Sequence, residues 1–182
     1  MKYWSVLLMI GICIACQSPE AEQRKEAEVK KKTHPSENYH YVDLDVSQLA
    51  YQETLYVPVY SDIYHLDGTR RFALAATLSL RNINMQDSVY VTAIDYYDSE
   101  GDLVKHYIEK PIVLTPLQTV EIVVAHNDAA GGAGANFIVR WGSAKASDKF
   151  FAQAVMIGTA SQQGLSFTTE AVVIESTSEQ KQ

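Results

Sequence analysis

Four acidic side chains fall within eight residues near the middle of the chain: Asp95, Asp98, Glu100 and Asp102. Several carboxylate oxygens from one small loop are what a hard cation such as Ca²⁺ requires. The stretch lacks EF-hand spacing and the terminal glutamate, however, and aspartates around Gly101 are what a hairpin turn selects for its own hydrogen bonds. We therefore expect a structural turn, with a metal site as the alternative.

The histidines add little metal chemistry. His65, His106 and His126 are scattered along the chain, and none forms a His-x-x-x-His pair or neighbours a cysteine, as zinc ligands do. His65 or His106 would join the acidic cluster only if the fold brought them there. No serine lies in a Gly-x-Ser-x-Gly elbow, and no cysteine follows Cys16. The sequence therefore predicts a protein that is not an enzyme and holds no metal or cofactor.

A glycine-rich stretch, Gly131-Gly132-Ala133-Gly134-Ala135-Asn136, is the second candidate site. Consecutive backbone N–H groups in such loops can hold an anion. The dinucleotide-binding pattern fails here, because Phe137 takes the place of the third glycine and begins a strand-like segment instead of a helix. We expect an inter-strand loop that permits close approach of another backbone or of a ligand at Gly131, Gly132 and Gly134, with Asn136 fixing it.

Tyrosine is concentrated in one part of the chain, with ten of the eleven between Tyr39 and Tyr107. Tyr56, Tyr60 and Tyr64 recur every four residues, and in a continuous strand they would share one face. Such a face would suit stacking on sugars or packing against protein. The alternative is that tyrosine serves here simply as a good strand residue.

The elements that must position these residues are strands. Alternation places Leu74, Ala76, Leu78 and Leu80 toward a core, and Phe137, Val139 and Trp141 on one face of another strand. Pro58 directs its strand to an edge or a bulge, and Gly101 supplies the positive φ of a hairpin. The predicted strands cover residues 54–61, 72–80, 88–97, 103–108, 119–125, 137–141, 150–157 and 165–174. They predict an all-β antiparallel sandwich of immunoglobulin-like type, with a small barrel as the alternative.

The N-terminus predicts export. Met1-Lys2 and an apolar run ending at Ala15 match a secretory signal, and the run is too short to span a bilayer. The stretch ending in Ala15-Cys16 resembles the bacterial lipobox, in which signal peptidase II cuts before a lipidated cysteine; Cys13 stands where leucine is usual. An ordinary secretory cut and an uncleaved anchor are the alternatives. We expect a signal peptide over 1–15 and a lipid anchor on Cys16, which leaves the folded part without a disulfide.

Charge divides the remaining chain. Residues 17–40 hold five acids, five bases and few large apolar side chains, so we expect residues 16–40 to be a lipidated cysteine plus a flexible tether. A single domain is predicted over 41–176, followed by a disordered tail over 177–182. From Tyr41 onward the chain has 17 acids and 9 bases, a net charge of −8, which argues against nucleic-acid binding.

Several segments of the chain resemble a family of uncharacterised bacterial proteins, many of them lipoproteins. These segments are Tyr56–Ser61, Thr77–Asn82, Asp95–Asp98, Gly131–Phe137 and Ala154–Thr159. The resemblance spans most of Leu55 to Val173 and implies one domain in the cell envelope. It implies no activity, cofactor or catalytic residue.

Together these observations predict a lipid-anchored protein of the bacterial envelope, in either the inner or the outer membrane. The membrane is its first partner, through Cys16. An envelope protein or a glycan is the second, bound by a non-enzymatic module. The alternative function is a metal-binding or metal-dependent hydrolytic domain that uses Asp95, Asp98 and Asp102.

Overall fold

The structure is a computed structural model and describes residues 39–126, 128, 130–159 and 164–177. The predicted signal peptide, the anchor at Cys16 and nearly all of the tether lie outside these residues. So does the tail beyond Thr177. Within the described residues, no helix is long and apolar enough to cross a bilayer.

The described part of the chain contains twelve strands. They are β1 (Tyr51–Pro58), β2 (Asp62–His65), β3 (Arg70–Ala73), β4 (Ala75–Asn82), β5 (Val89–Tyr97), β6 (Leu103–His106), β7 (Ile112–Leu114), β8 (Thr119–Val124), β9 (Asn136–Ser143), β10 (Phe150–Gly158), β11 (Leu165–Glu170) and β12 (Val172–Ser176). Two single 3₁₀ turns, Val46–Gln48 and Gly132–Gly134, are the only helical pieces in this part of the chain.

The strands form two antiparallel sheets and a hairpin. The larger sheet has the order β12-β1-β9-β5-β6, with β7 also paired to β5, and the smaller has the order β11-β10-β4-β8. Strands β2 and β3 pair only with each other. Neither sheet closes on itself, so the predicted β-sandwich is confirmed and the barrel alternative is wrong.

The core lies between the inner faces of the two sheets, as the alternation predicted. Ala76, Leu78 and Leu80 are buried along β4 of the smaller sheet, and Leu74 is buried just before that strand begins. On the larger sheet, Phe137, Val139 and Trp141 are buried along β9. Their side chains belong to one continuous apolar cluster that spans both sheets.

Two predicted strands are in fact divided. The segment 72–80 breaks at Leu74, whose N–H donates to the carbonyl of Ser61, which separates β3 from β4. The segment 165–174 breaks at Ala171, where the chain passes from the smaller sheet to the larger, from β11 to β12. Periodicity did not show these breaks, because apolar alternation continues through a change of sheet.

Pro58 is the last residue of β1. Pairing between β1 and β12 stops at Tyr56 opposite Val172, so Pro58 has no neighbour in β12 that would require its missing N–H. The same pair of strands has a bulge between Thr54 and Leu55. The Pro58 carbonyl accepts a hydrogen bond from Thr169 Oγ1 at 2.5 Å, which links β1 to the other sheet.

Candidate functional site

Three features of the sequence meet at one end of the sandwich. The chain leaves β1 through Tyr60, turns after β5 at Ser99, and enters β9 from the glycine-rich loop. A cleft of about 510 Å³ lies among them, within the usual size range of small-ligand sites. We name it the loop-end cleft; its lining residues are Tyr60, Ile63, Tyr64, Arg71, Ser99, Glu100, Ala133 and Gly134.

The glycine loop is shaped by close packing against two side chains. A Cβ on Gly131 would lie 1.8 Å from the Tyr96 hydroxyl oxygen, and a Cβ on Gly132 would lie 2.7 Å from Ser99 Oγ. Gly132 also has a φ of +73°, a conformation that favours glycine. The predicted close approach is thus made by side chains of the same domain.

Most of the polar groups named in this loop form hydrogen bonds with other parts of the domain. The Gly134 N–H donates to Ser99 Oγ at 2.9 Å, and Ser99 Oγ donates to the Gly131 carbonyl at 3.1 Å. The Gly132 carbonyl accepts from both the N–H and the hydroxyl of Ser61. Asn136 begins β9, opposite Pro58 of β1 and Tyr97 of β5. This arrangement gives a rigid wall for the cleft instead of a row of free N–H groups for a phosphate.

The acidic stretch divides into a turn and a buried aspartate, Asp95, whose partners are exposed side chains. Asp98 Oδ1 accepts from the N–H groups of Glu100 and Asp102 at 3.0 and 2.8 Å, and Gly101 has a φ of 88°. These contacts are those of the expected hairpin turn.

Asp95 lies apart from that turn, in β5. Its Oδ1 is 2.7 Å from His106 Nδ1, and its Oδ2 is 3.2 Å from Arg140 Nη1. The guanidinium beside the carboxylate opposes the approach of a cation. His65 is in the β2 hairpin, where its ring contacts Phe72 edge to face. Within the described ranges, no three metal-ligating side chains gather into a cation site.

Arg71 organises the rim of the loop-end cleft. Its Nη1 pairs with Asp62 Oδ2 at 3.0 Å, and its Nη2 donates to the Tyr64 hydroxyl at 2.7 Å. The guanidinium carbon also lies 4.8 Å from the centre of the Tyr64 ring. The hydrogen bond with Tyr64 and the charge of Asp62 raise the pKa of Arg71. All three residues belong to the β2–β3 hairpin, so Arg71 fixes the exposed Tyr64 ring to the buried Asp62 within that hairpin.

Two polar atoms are buried next to this cleft without a partner among the described residues: Asp62 Oδ1 and the Tyr96 hydroxyl. Burial, with the nearby charge of Asp128, raises the pKa of Tyr96 to about 12. The Ser61 hydroxyl, which donates to the Gly132 carbonyl, is near enough to lower this pKa in part, but it makes no hydrogen bond of good geometry with the Tyr96 hydroxyl. Leaving such groups unpaired costs about 1–3 kcal/mol each, and a third, Asp148 Oδ2, lies between β9 and β10 at the other end of the sandwich.

The predicted tyrosine face is only partly formed. Tyr60 and Tyr64 line the cleft, whereas Tyr56 lies within β1 and does not, because the chain turns away at Ser61 after β1 has ended. Tyr60 is held by edge-to-face packing against Phe167, with ring centres 5.7 Å apart.

Sequence reasoning did not include Arg71, which reaches the cleft through the β2–β3 hairpin. A signal for that hairpin exists in Asp67-Gly68, since Asp-Gly between two strand-like runs indicates a tight turn. Gly68 has a φ of +80°, and β2 pairs with β3 so that Tyr64 lies opposite Arg71. Recognising the turn would have predicted the pair.

The opposite end of the sandwich holds a different polar cluster, the strand-end cluster, formed by Tyr51, Glu53, Trp141 and Phe150. Glu53 accepts from Trp141 Nε1 at 2.9 Å and from the Tyr51 hydroxyl. The Trp141 ring stacks on Phe150 with centres 5.0 Å apart. A smaller cleft of about 260 Å³ adjoins it, lined by strand residues such as Thr54, Arg140 and Glu175.

Comparison with known proteins supports a family assignment and nothing finer. A crystal structure from Thermotoga maritima, described as "Crystal Structure of Thermotoga maritima 1070", aligns at 11% identity and a TM-score of 0.39. The alignment covers 66% of this chain and 92% of that one. No curated protein matches the chain. The family model "Protein of unknown function (DUF3124)" matches residues 52–174, from β1 to β12. Because that match covers most of the chain, the protein belongs to the DUF3124 family, a family of unknown function.

Proposed function

We propose that this protein is a lipid-anchored component of the bacterial envelope that binds a partner in its loop-end cleft without catalysing a reaction. The observation that supports the proposal is the built rim of the cleft, in which an exposed tyrosine is fixed through Arg71 to a buried aspartate. Binding sites characteristically combine an apolar surface with a few positioned polar groups. Their position on loops at the end of a rigid scaffold is also typical.

The absence of chemistry in the cleft favours binding over catalysis. Ser99, the hydroxyl that lines it, is hydrogen-bonded to glycine backbone on both sides, whereas an activated serine needs a base. The described histidine that is paired with a carboxylate, His106, is in β6 and does not line this cleft. Among the described lining residues, no pair therefore has the arrangement of a nucleophile and its base.

The envelope location rests on Cys16 and the leader before it. A tether of 24 residues, 17–40, would give a root-mean-square reach of about 25–30 Å, enough to hold the domain clear of lipid headgroups. We expect Cys16→Ala to abolish incorporation of a labelled fatty acid and to release the protein from membrane fractions. Cys13→Ala is the matched control and should leave both unchanged. Lipid labelling of Cys16→Ala would contradict the anchor.

The binding role is tested by photocrosslinking in intact cells. A photoreactive amino acid replaces Tyr64, and in a control chain it replaces Tyr41, which is similarly exposed (52% against 56%) but does not line the cleft. We expect a discrete crosslinked product from position 64 and none from position 41. Equal products from the two positions, or none from either, would contradict the proposal.

A further inference from the structure

We propose that the ligand of the loop-end cleft is an uncharged oligosaccharide, stacked on Tyr64 and hydrogen-bonded by Arg71 and Glu100. The inference rests on the proposed function, because it specifies what the same cleft binds. It depends on three properties of the lining residues: the aromatic rings, the arrangement of donors and acceptors, and the charge balance.

The aromatic rings come first. Tyr60 and Tyr64 both line the cleft, and each is held in place by a contact of its own, with Phe167 and Arg71 respectively. Arg71 lies over one face of the Tyr64 ring, but Tyr64 nevertheless remains 56% exposed, so a ligand would stack on the face away from Arg71. A ring that is fixed and exposed offers stacking area at low cost in conformational entropy, since its freedom is already restricted. The C–H face of a sugar ring fits such a surface.

The donors and acceptors come second. A guanidinium has five N–H donors, and those of Arg71 that are not directed at Asp62 and Tyr64 are available on an exposed side chain. Glu100 lines the same cleft and contributes an acceptor-only carboxylate. A fixed donor and an acceptor on one wall match the neighbouring hydroxyls of a sugar, each of which can both donate and accept.

Charge decides between an uncharged ligand and an anionic one. The positive charge of Arg71 is compensated by Asp62 at 3.0 Å, which leaves the carboxylate of Glu100 as the net charge of the lining. The domain as a whole is also acidic, with a net charge of −8 from Tyr41 onward. A phosphate or a uronic acid would therefore be repelled, and the polar groups of the wall would be poorly matched by a purely apolar ligand.

The test uses the full-length chain, purified in a detergent without a sugar headgroup. Cellotetraose, maltotetraose and N-acetylchitotetraose are the uncharged probes, and tetragalacturonate is the charged one. Saturation-transfer NMR detects contact, and calorimetry gives Kd. We expect at least one uncharged probe to bind and tetragalacturonate not to bind. Tyr64→Ala should raise Kd by about tenfold or more, as loss of an anchoring aromatic does.

Two further variants show whether the ring or the fold is responsible. Tyr64→Phe keeps the ring but loses the hydrogen bond from Arg71, so its Kd should rise by only about two- to threefold. Tyr41→Ala removes an equally exposed tyrosine outside the cleft and should leave Kd unchanged. The proposal is overturned if no uncharged probe binds, if tetragalacturonate binds more tightly, or if Tyr41→Ala and Tyr64→Ala weaken binding equally.

Failure of this inference can be told apart from failure of the proposed function. Specific crosslinking of a protein at position 64, with no saccharide bound, would contradict the saccharide as ligand. It would still support the proposed binding role of the cleft. Absence of both crosslinking and saccharide binding would overturn the two together.

Discussion

The two ends of the sandwich differ in how their polar groups are hydrogen-bonded. At the strand-end cluster, both oxygens of Glu53 receive hydrogen bonds, from Trp141 and Tyr51. At the loop end, the Tyr96 hydroxyl and Asp62 Oδ1 are buried without a partner among the described residues, and one further such atom, Asp148 Oδ2, lies between β9 and β10 at the strand end. Unpaired buried groups are expected where function competes with stability. The two unpaired groups beside the loop-end cleft agree with the binding role proposed for it.

The largest expected effect comes from the glycine that covers Tyr96. In Gly131→Ala the new Cβ would lie 1.8 Å from the Tyr96 hydroxyl oxygen and 2.7 Å from Ala135 Cβ, so the loop must move. We expect the free energy of unfolding to fall by about 3 kcal/mol. Urea denaturation measures it.

Gly134→Ala is the matched control for this change. Its Cβ would come no closer than 3.3 Å to Ser99 Oγ, and the loss should stay below about 1 kcal/mol. Adding Tyr96→Phe to Gly131→Ala should restore part of the stability, because the closest clash is removed. Equal losses in the two glycine variants would show that the loop is not held against Tyr96.

At the strand end, Trp141→Phe should cost about 2 kcal/mol. The substitution removes the N–H donor to Glu53 and part of the ring that stacks on Phe150. Thermal unfolding followed by circular dichroism is a suitable measurement. A loss below about 0.5 kcal/mol would mean that the hydrogen bonds of Glu53 contribute little, and the contrast between the ends would disappear.

The alkaline stability of the domain should depend on Tyr96. Its pKa is raised to about 12 in the folded state, above the ordinary value of 10, so between these values the unfolded chain loses the phenolic proton first. The contribution of Tyr96 is therefore present in full below pH 10 and is lost as pH rises from 10 to 12; Tyr39 and Tyr107, whose pKa values burial also raises, add losses that remain when Tyr96 is replaced. At pH 11 this effect amounts to about 1 kcal/mol, and Tyr96→Phe should lack it. Urea midpoints at pH 8 and pH 11 for both proteins test this, and identical pH dependence would contradict it.

The smallest effect should come from Tyr96→Phe at neutral pH. Because the lost hydroxyl has no partner among the described residues, its removal should raise the free energy of unfolding by about 1 kcal/mol, the lower end of the cost of an unpaired buried group. The ring contacts with Phe137 and Tyr107 are kept. A loss of 2 kcal/mol would show that the hydroxyl is satisfied, and the two ends would then be alike.

Sequence periodicity was sufficient to predict the two layers of the fold. The alternation of Leu74 to Leu80 and of Phe137 to Trp141 placed these side chains in the core, and Gly101 correctly marked a hairpin turn. These features are local, since each depends on residues only a few positions apart.

The cleft could not be predicted in the same way. An aspartate such as Asp62 is expected at the surface, yet it is buried. Hairpin pairing brings Arg71 to it from nine positions away. The glycine loop reaches Tyr96 and Ser99 across more than thirty positions. Such contacts depend on strand order, which periodicity does not specify. The predicted anchor at Cys16 lies outside the described residues and remains a prediction.

The position of β1 in the larger sheet also sets the order in which the domain can fold. Its two neighbours, β9 and β12, both come from the C-terminal part of the chain, so that Tyr51 pairs with Ser143 and Glu53 with Ser176. Contacts between residues so distant in sequence form late and make folding slow. Until residue 176 is free to pair, β1 has an open edge that invites aggregation. A chain that emerges N-terminus first must therefore keep one edge of its first strand unpaired until residue 176 has been made.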